Sequence, residues 1–218
     1  MKTKLLIAAL LCAININVKA DSVSGTLDVS YADEYYFRGA NLGEDSVQYS
    51  ATGNVNVSGL DLFVNGFTNQ TNGSGTSDTD ILTVGVGKSF PDQLLSVYGG
   101  VVNVDDDTAG SQLDAFVSVN FDTLLKPRVT LYRNTSDDLY TIEGCVSHKF
   151  DLNVVDLTLA ACAGSTELTQ NDNRTYTGVT AKVSKTINQF EPHVCVSVID
   201  TDEIETDTMV KAGLTFKF

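Results

Sequence analysis

Residues 47 to 57 read VQYSATGNVNV, and the stretch alternates without a break. Val47, Tyr49, Ala51, Gly53, Val55 and Val57 fall on one side, and Gln48, Ser50, Thr52, Asn54 and Asn56 on the other. Successive side chains of a strand point to opposite faces, so this is one apolar and one polar face. About twelve such segments, each of roughly ten residues, follow Ala20, and little of the chain after that point shows helical periodicity. The pattern predicts strands over 27–37, 47–57, 60–68, 80–88, 94–102, 113–121, 128–133, 140–150, 154–164, 175–184, 190–199 and 209–218. No shift in composition divides them, which predicts one all-β domain.

The connections alternate in length. The odd ones, at 39–46, 69–80, 103–112, 134–138, 165–174 and 200–207, are mostly long and acidic. The even ones, at 58–59, 89–93, 122–127, 151–153 and 185–189, are short. This regularity puts the long links at one end of an antiparallel up-and-down sheet, as in outer-membrane β-barrels. A soluble sandwich also alternates its faces, but its Greek-key links break the regularity, and its outer face carries Lys and Glu. Here charges gather in the links, and the polar face is mainly Ser, Thr, Asn and Gly. The expected fold is therefore a transmembrane β-barrel of about 12 strands, with lipid on its apolar face.

The N-terminus agrees. Residues 1–20 carry Lys2 and Lys4, then an apolar run from Leu5 to Ile14, then Val18 and Ala20 ahead of Asp21, the layout of a cleaved signal peptide. The run is too short for a transmembrane helix. A lipoprotein signal at Cys12 is disfavoured by Leu11, where a small residue belongs. Without Lys2, Lys4 and Lys19, the 11 remaining basic and 28 acidic residues leave a charge near −17, which argues against a nucleic-acid partner. At the other end, Val210, Ala212, Leu214, Phe216 and the terminal Phe218 share one face. That ending resembles the assembly signal of bacterial outer-membrane proteins, which implies recognition by the barrel-assembly machinery.

Residues 25 to 70 resemble the start of the TorF-type porins, a bacterial outer-membrane family of poorly defined function. The specific match is Tyr35, Tyr36, Phe37, Arg38 and Gly39 against the family's Tyr-x-(Phe/Tyr)-Arg-Gly, with Gln48 following. Asn41 stands where members often carry Ser. The resemblance implies a porin in the outer membrane, in contact with lipid and lipopolysaccharide, with no substrate or cofactor to carry over. The expected function is passive diffusion of small solutes or ions. The alternative is a non-conducting barrel that acts through its acidic external loops.

Strand parity nominates lumen residues. Arg38 shares the polar face with Asp28, Glu34 and Tyr36, either as a pore-lining cation or, the favoured reading, as a salt bridge locking the first strand to its neighbours. Lys149, Lys182, Lys211, Lys217, Asp114, Glu143, Asp156 and Glu191 also face inward. A two-residue turn at Thr186 and Ile187 would set Lys182 opposite Glu191. The mature chain keeps three cysteines, Cys145, Cys162 and Cys195, all facing inward. One register sets Cys145 opposite Cys162, in reach of a disulfide; another sets Lys149 opposite Asp156 and leaves the cysteines diagonal. The sequence leaves both open.

Other chemistry is weakly signalled. The acidic stretches 105–107 and 200–207 could take calcium or bridge lipopolysaccharide, but match no calcium-loop pattern, and a solvated loop is the plainer reading. Metal sites lack zinc spacing. His148 and His193 have no adjacent nucleophile motif, so no enzyme is expected. The chain has no Trp, so Tyr31, Tyr35, Tyr49, Phe121, Tyr140, Phe150 and Phe190 would form the interfacial girdles.

Overall fold

The computed structural model describes residues 20–72, 78–107, 110–169, 172–202 and 206–218. The expected signal peptide, with Cys12, lies outside the described residues except for its last residue. Twelve strands form one closed antiparallel barrel: β1 (Ser22–Phe37), β2 (Ala40–Val57), β3 (Leu60–Thr71), β4 (Thr79–Phe90), β5 (Leu95–Asp106), β6 (Gly110–Phe121), β7 (Arg128–Asn134), β8 (Tyr140–Asp151), β9 (Asp156–Thr169), β10 (Asp172–Ser184), β11 (Phe190–Thr201) and β12 (Asp207–Lys217). Each pairs with its sequence neighbours, and β1 closes on β12 with Leu27 opposite Phe216. Closure removes sheet edges, so within the ring the strands satisfy one another's backbone groups. Among the described residues no helix is long and apolar enough to cross a membrane.

The faces are inverted relative to a water-soluble protein. Val84, Val101, Val117, Leu131, Ile142, Val179, Val196 and Leu214 stand exposed on the outside. Ser30, Gln48, Asn69, Ser118, Thr130, Thr141 and Ser197 are buried within. That is the pattern of a barrel with an apolar exterior and a polar interior.

The strands run further than periodicity predicts at the long-link end. The expected loop over 39–46 is mostly strand, and the β1–β2 turn is only Arg38 and Gly39, at φ 50° and 79°. Two consecutive positive φ values suit a tight hairpin turn that matches strand twist. Ser58 and Gly59 repeat it between β2 and β3, at φ 53° and 77°. The expected 165–174 loop is likewise mostly β9 and β10. Polar residues hid these extensions: above an apolar belt both faces of a strand can be polar, and alternation disappears.

One register differs from expectation, and one that the sequence left open is decided. Lys182 lies opposite Cys195 rather than Glu191, because Ile187 bridges Phe190 and the turn closes over Asn188 and Gln189 instead of Thr186 and Ile187. Between β8 and β9, Cys145 lies opposite Cys162, so Lys149 faces Thr158 and meets Asp156 on the diagonal.

Candidate functional site

The β1–β2 hairpin does not stand clear of the barrel. A register irregularity at Tyr35 and Tyr36 accompanies a change of face: Tyr35 and Phe37 turn into the lumen, while Glu34 and Tyr36 stay at the rim with Asn41 and Asp207. Tyr35 packs on Phe67 at 5.3 Å between ring centroids and is 8% exposed, so it does not belong to an outer girdle as its parity predicts. Phe37 packs against the buried cluster of Ile81, Val102 and Val104 on β4 and β5.

Arg38, at the hairpin tip, reaches across the lumen. Its Nη1 donates to Asp114 Oδ2 on β6 at 2.5 Å, and its guanidinium lies over the Tyr132 ring on β7 at 4.1 Å. The two side chains of the ion pair are 10% and 1% exposed, and Gln112 also donates to Asp114. The salt bridge expected at Arg38 is present, but its partner lies on the far wall rather than on a neighbouring strand. Gly39 follows at φ 79° and close against β10: a Cβ there would lie 3.0 Å from Tyr176 Cβ and 3.1 Å from Arg174 Cδ, tight contacts that would push those side chains back. The tip thus touches β4, β5, β6, β7 and β10, and spans the barrel.

Phe37, Arg38 and Tyr132 consequently separate two spaces. Above them, a cavity of about 390 Å³ opens at the long-link end, lined also by Asp106, Asp114, Glu167 and Arg174. Below them, a cavity of about 590 Å³ runs along β3 to β7 past Phe63, Tyr98, Phe116, Asn120 and Arg128. Asn120 and Arg128 also line a third space of about 520 Å³ at the short-turn mouth.

The opposite wall is laced with polar contacts. Lys182 and Lys217 both donate to Glu191, and Thr186 adds a third bond to that carboxylate. Despite the shifted register, the long side chain of Lys182 spans the offset. Lys211 donates to Gln48, and Thr215 and Ser30 donate to Asp28. At the short-turn mouth Lys149 meets Asp156 at 2.7 Å. Glu143 accepts from Arg128 and from the Tyr176 hydroxyl. The cysteines are linked as Cys145–Cys162, and Cys195 is free. Leu214 and Phe218 stand exposed outside, and Phe216 packs between Phe190 and Phe218.

The residue set therefore divides. Arg38 and Asp114 meet at the constriction; Lys182, Glu191 and Lys217 meet on the wall formed by β10, β11 and β12; Glu34 joins neither. Parity-based selection passed over Arg128, Phe63, Tyr98, Phe116 and Tyr132, which line the 590 Å³ lumen cavity. The signal was present: Phe116 shares its face with Asp114, Ser118 and Asn120, and Tyr132 with Arg128 and Thr130. Assigning aromatic rings to the exterior obscured it. His148 meets the Leu124 carbonyl through Nδ1 and packs on Phe150. Among the described residues no group of three or more His, Cys, Asp or Glu is placed to hold a metal.

No protein-family model and no curated protein matches the sequence. Solved structures do match in fold. The chain resembles the KdgM porin in complex with disordered oligogalacturonate, at 12% identity and TM-score 0.60 over 88% of this chain and 99% of that one. It resembles the NanC porin at 10% identity and TM-score 0.57, over 88% and 100%. It also resembles an outer membrane channel from Pseudomonas putida F1 at 10% identity and TM-score 0.55, over 92% and 97%. At these identities the likeness is one of fold.

Proposed function

We propose that the chain is an outer-membrane channel of porin type, through which small hydrophilic solutes or ions diffuse passively. The observation that carries this reading is the chain of lumen cavities from one mouth to the other, enclosed by an apolar exterior. Two of them share Phe37, Arg38 and Tyr132 in their walls, where the β1–β2 hairpin presents Arg38 to Asp114. The names of the similar structures, porins and a channel, support it. In this reading residues 1–20 direct export and are removed, Leu214, Phe216 and Phe218 serve barrel assembly, and the exterior contacts lipid and lipopolysaccharide. The TorF-type likeness of residues 25–70 fits the same class. Arg38 and Asp114 are pore-lining at the constriction. Glu143, Lys149, Asp156, Lys182, Glu191 and Lys211 are pore-lining through the charge network that shapes the lumen below it.

A non-conducting barrel working through its external loops is the second reading, favoured by one observation: Arg38 is nearly buried where the two cavities meet. Single-channel recording of the refolded barrel in a planar bilayer under a salt gradient separates the two. Discrete current steps support the channel. Silence from protein that is demonstrably folded and inserted overturns it and leaves the loop reading.

A further inference from the structure

We infer that the 590 Å³ lumen cavity is a binding site for a small aromatic carboxylate; the inference rests on the channel reading and adds to it a solute class. Three features carry it.

The first is the wall. Phe63, Tyr98, Phe116 and Tyr132 form a continuous run of rings, with centroid separations of 6.0 Å for Phe63–Tyr98, 6.3 Å for Phe63–Phe116 and 5.9 Å for Phe116–Tyr132. Apolar rings facing a water-filled passage are unfavourable unless something covers them.

The second is that the rings line the space rather than fill it. Inward glycines let them lie back against the sheet. A Cβ on Gly87 would run into the Tyr98 ring, and one on Gly85 into the Phe63 ring. Ligand sites commonly have this size and this mix of flat apolar surface with few polar groups.

The third is charge. A guanidinium stands at each end. Arg38, at the constriction, is held by Asp114. Arg128, toward the short-turn mouth, is 48% exposed and uses Nη2 for both Glu143 and Cys145. The remaining donors of Arg128 suit a carboxylate, which a guanidinium binds in a fixed planar geometry. The lone carboxylate of the lining, Asp61, accepts a bond from Asn56. A planar apolar body with an anionic end matches all three features. Two guanidiniums against one carboxylate leave the lining better suited to an anion than to a cation, and a small aliphatic acid would leave the rings uncovered.

The test is calorimetry on protein expressed from the full chain and reconstituted in lipid nanodiscs, with benzoate, acetate and benzyl alcohol as probes. Benzoate is expected to bind at least about tenfold more tightly than either of the others, the equivalent of one good ring or charge-assisted contact. Phe116→Leu, which keeps an apolar side chain, and Arg128→Gln, which keeps a polar one, should each weaken benzoate by about tenfold on the same grounds. Should one variant fail to fold, the other decides. Equal binding of acetate and benzoate, or wild-type affinity in both folded variants, overturns the inference. Bilayer recording keeps the two proposals apart. Current steps with no benzoate binding leave the channel and remove the site, whereas benzoate binding to a silent barrel does the reverse.

Discussion

Replacing Asp114 by Asn leaves the shape of the constriction and removes one of its two charges. Asp114 is 1% exposed and Arg38 10%, so the change strands a guanidinium in a nearly dry place. Breaking a buried pair from one side costs about 3–5 kcal/mol. Two contacts survive: the Gln112 amide can still donate to the side-chain oxygen that the substitution retains, and Arg38 still lies over Tyr132. A cation–π contact of that kind is worth roughly 0.5–2 kcal/mol. The net loss for the inserted hairpin is then about 3 kcal/mol, or roughly two decades in the ratio of inserted to released tip. The assay is single-channel recording of D114N beside wild type, both confirmed as barrels by circular dichroism and by resistance to denaturation in gels. D114N should show larger or more frequent openings, and the exchanged pair R38D/D114R should move back toward wild type. Indistinguishable conductance in a folded D114N barrel would refute the gating argument, since the hairpin would then hold without the pair.

Further outcomes follow from the other contacts. Val196→Arg places a charge on the outer face at mid-strand, and should lower stability in lipid by about 2–4 kcal/mol, read from the urea midpoint of folding into vesicles. Ser197→Arg, one residue on and inward, should change conductance instead. Glu191→Gln weakens the bonds from Lys182 and Lys217 and should lower stability by about 1–3 kcal/mol, at the lower end because both lysines are partly solvated. Reducing Cys145–Cys162, separated by 17 residues, should cost about 3 kcal/mol in urea unfolding with and without reductant, and Cys145→Ser should match it. At the outer connection, the Thr175 backbone N–H and hydroxyl donate to Asp202, and the backbone bond first of all holds that carboxyl below its usual range. A depressed carboxyl contributes stability above its unfolded value and loses it as pH falls through the folded one. Hydrogen-exchange protection of the Thr175 amide should therefore be full at neutral pH and fade on acidification, with Asp202→Asn removing the pH dependence.

What the sequence determined by itself is the barrel. Period-two alternation in twelve segments, with links alternating short and long, admits few other closed arrangements, and the polar face of VQYSATGNVNV does line the interior. Parity also placed Asp114, Glu191 and the cysteines on the inner face, because facing depends only on position along a strand. Register was less legible. It depends on where each turn closes, so moving one turn from Thr186–Ile187 to Asn188–Gln189 took Lys182 from Glu191 to Cys195. The tertiary structure alone decided the constriction. Nothing local to Tyr35–Gly39 indicates that the hairpin bends inward, since its partners lie far along the chain: Asp114 is 76 positions beyond Arg38, and Tyr132 and Tyr176 are further still. The aromatic wall lies between these cases: parity marks its rings as inward, but not that they meet. Phe63, Tyr98 and Phe116 come from three different strands, and the pairing of β3 to β6 brings the three rings into one surface beside a cavity.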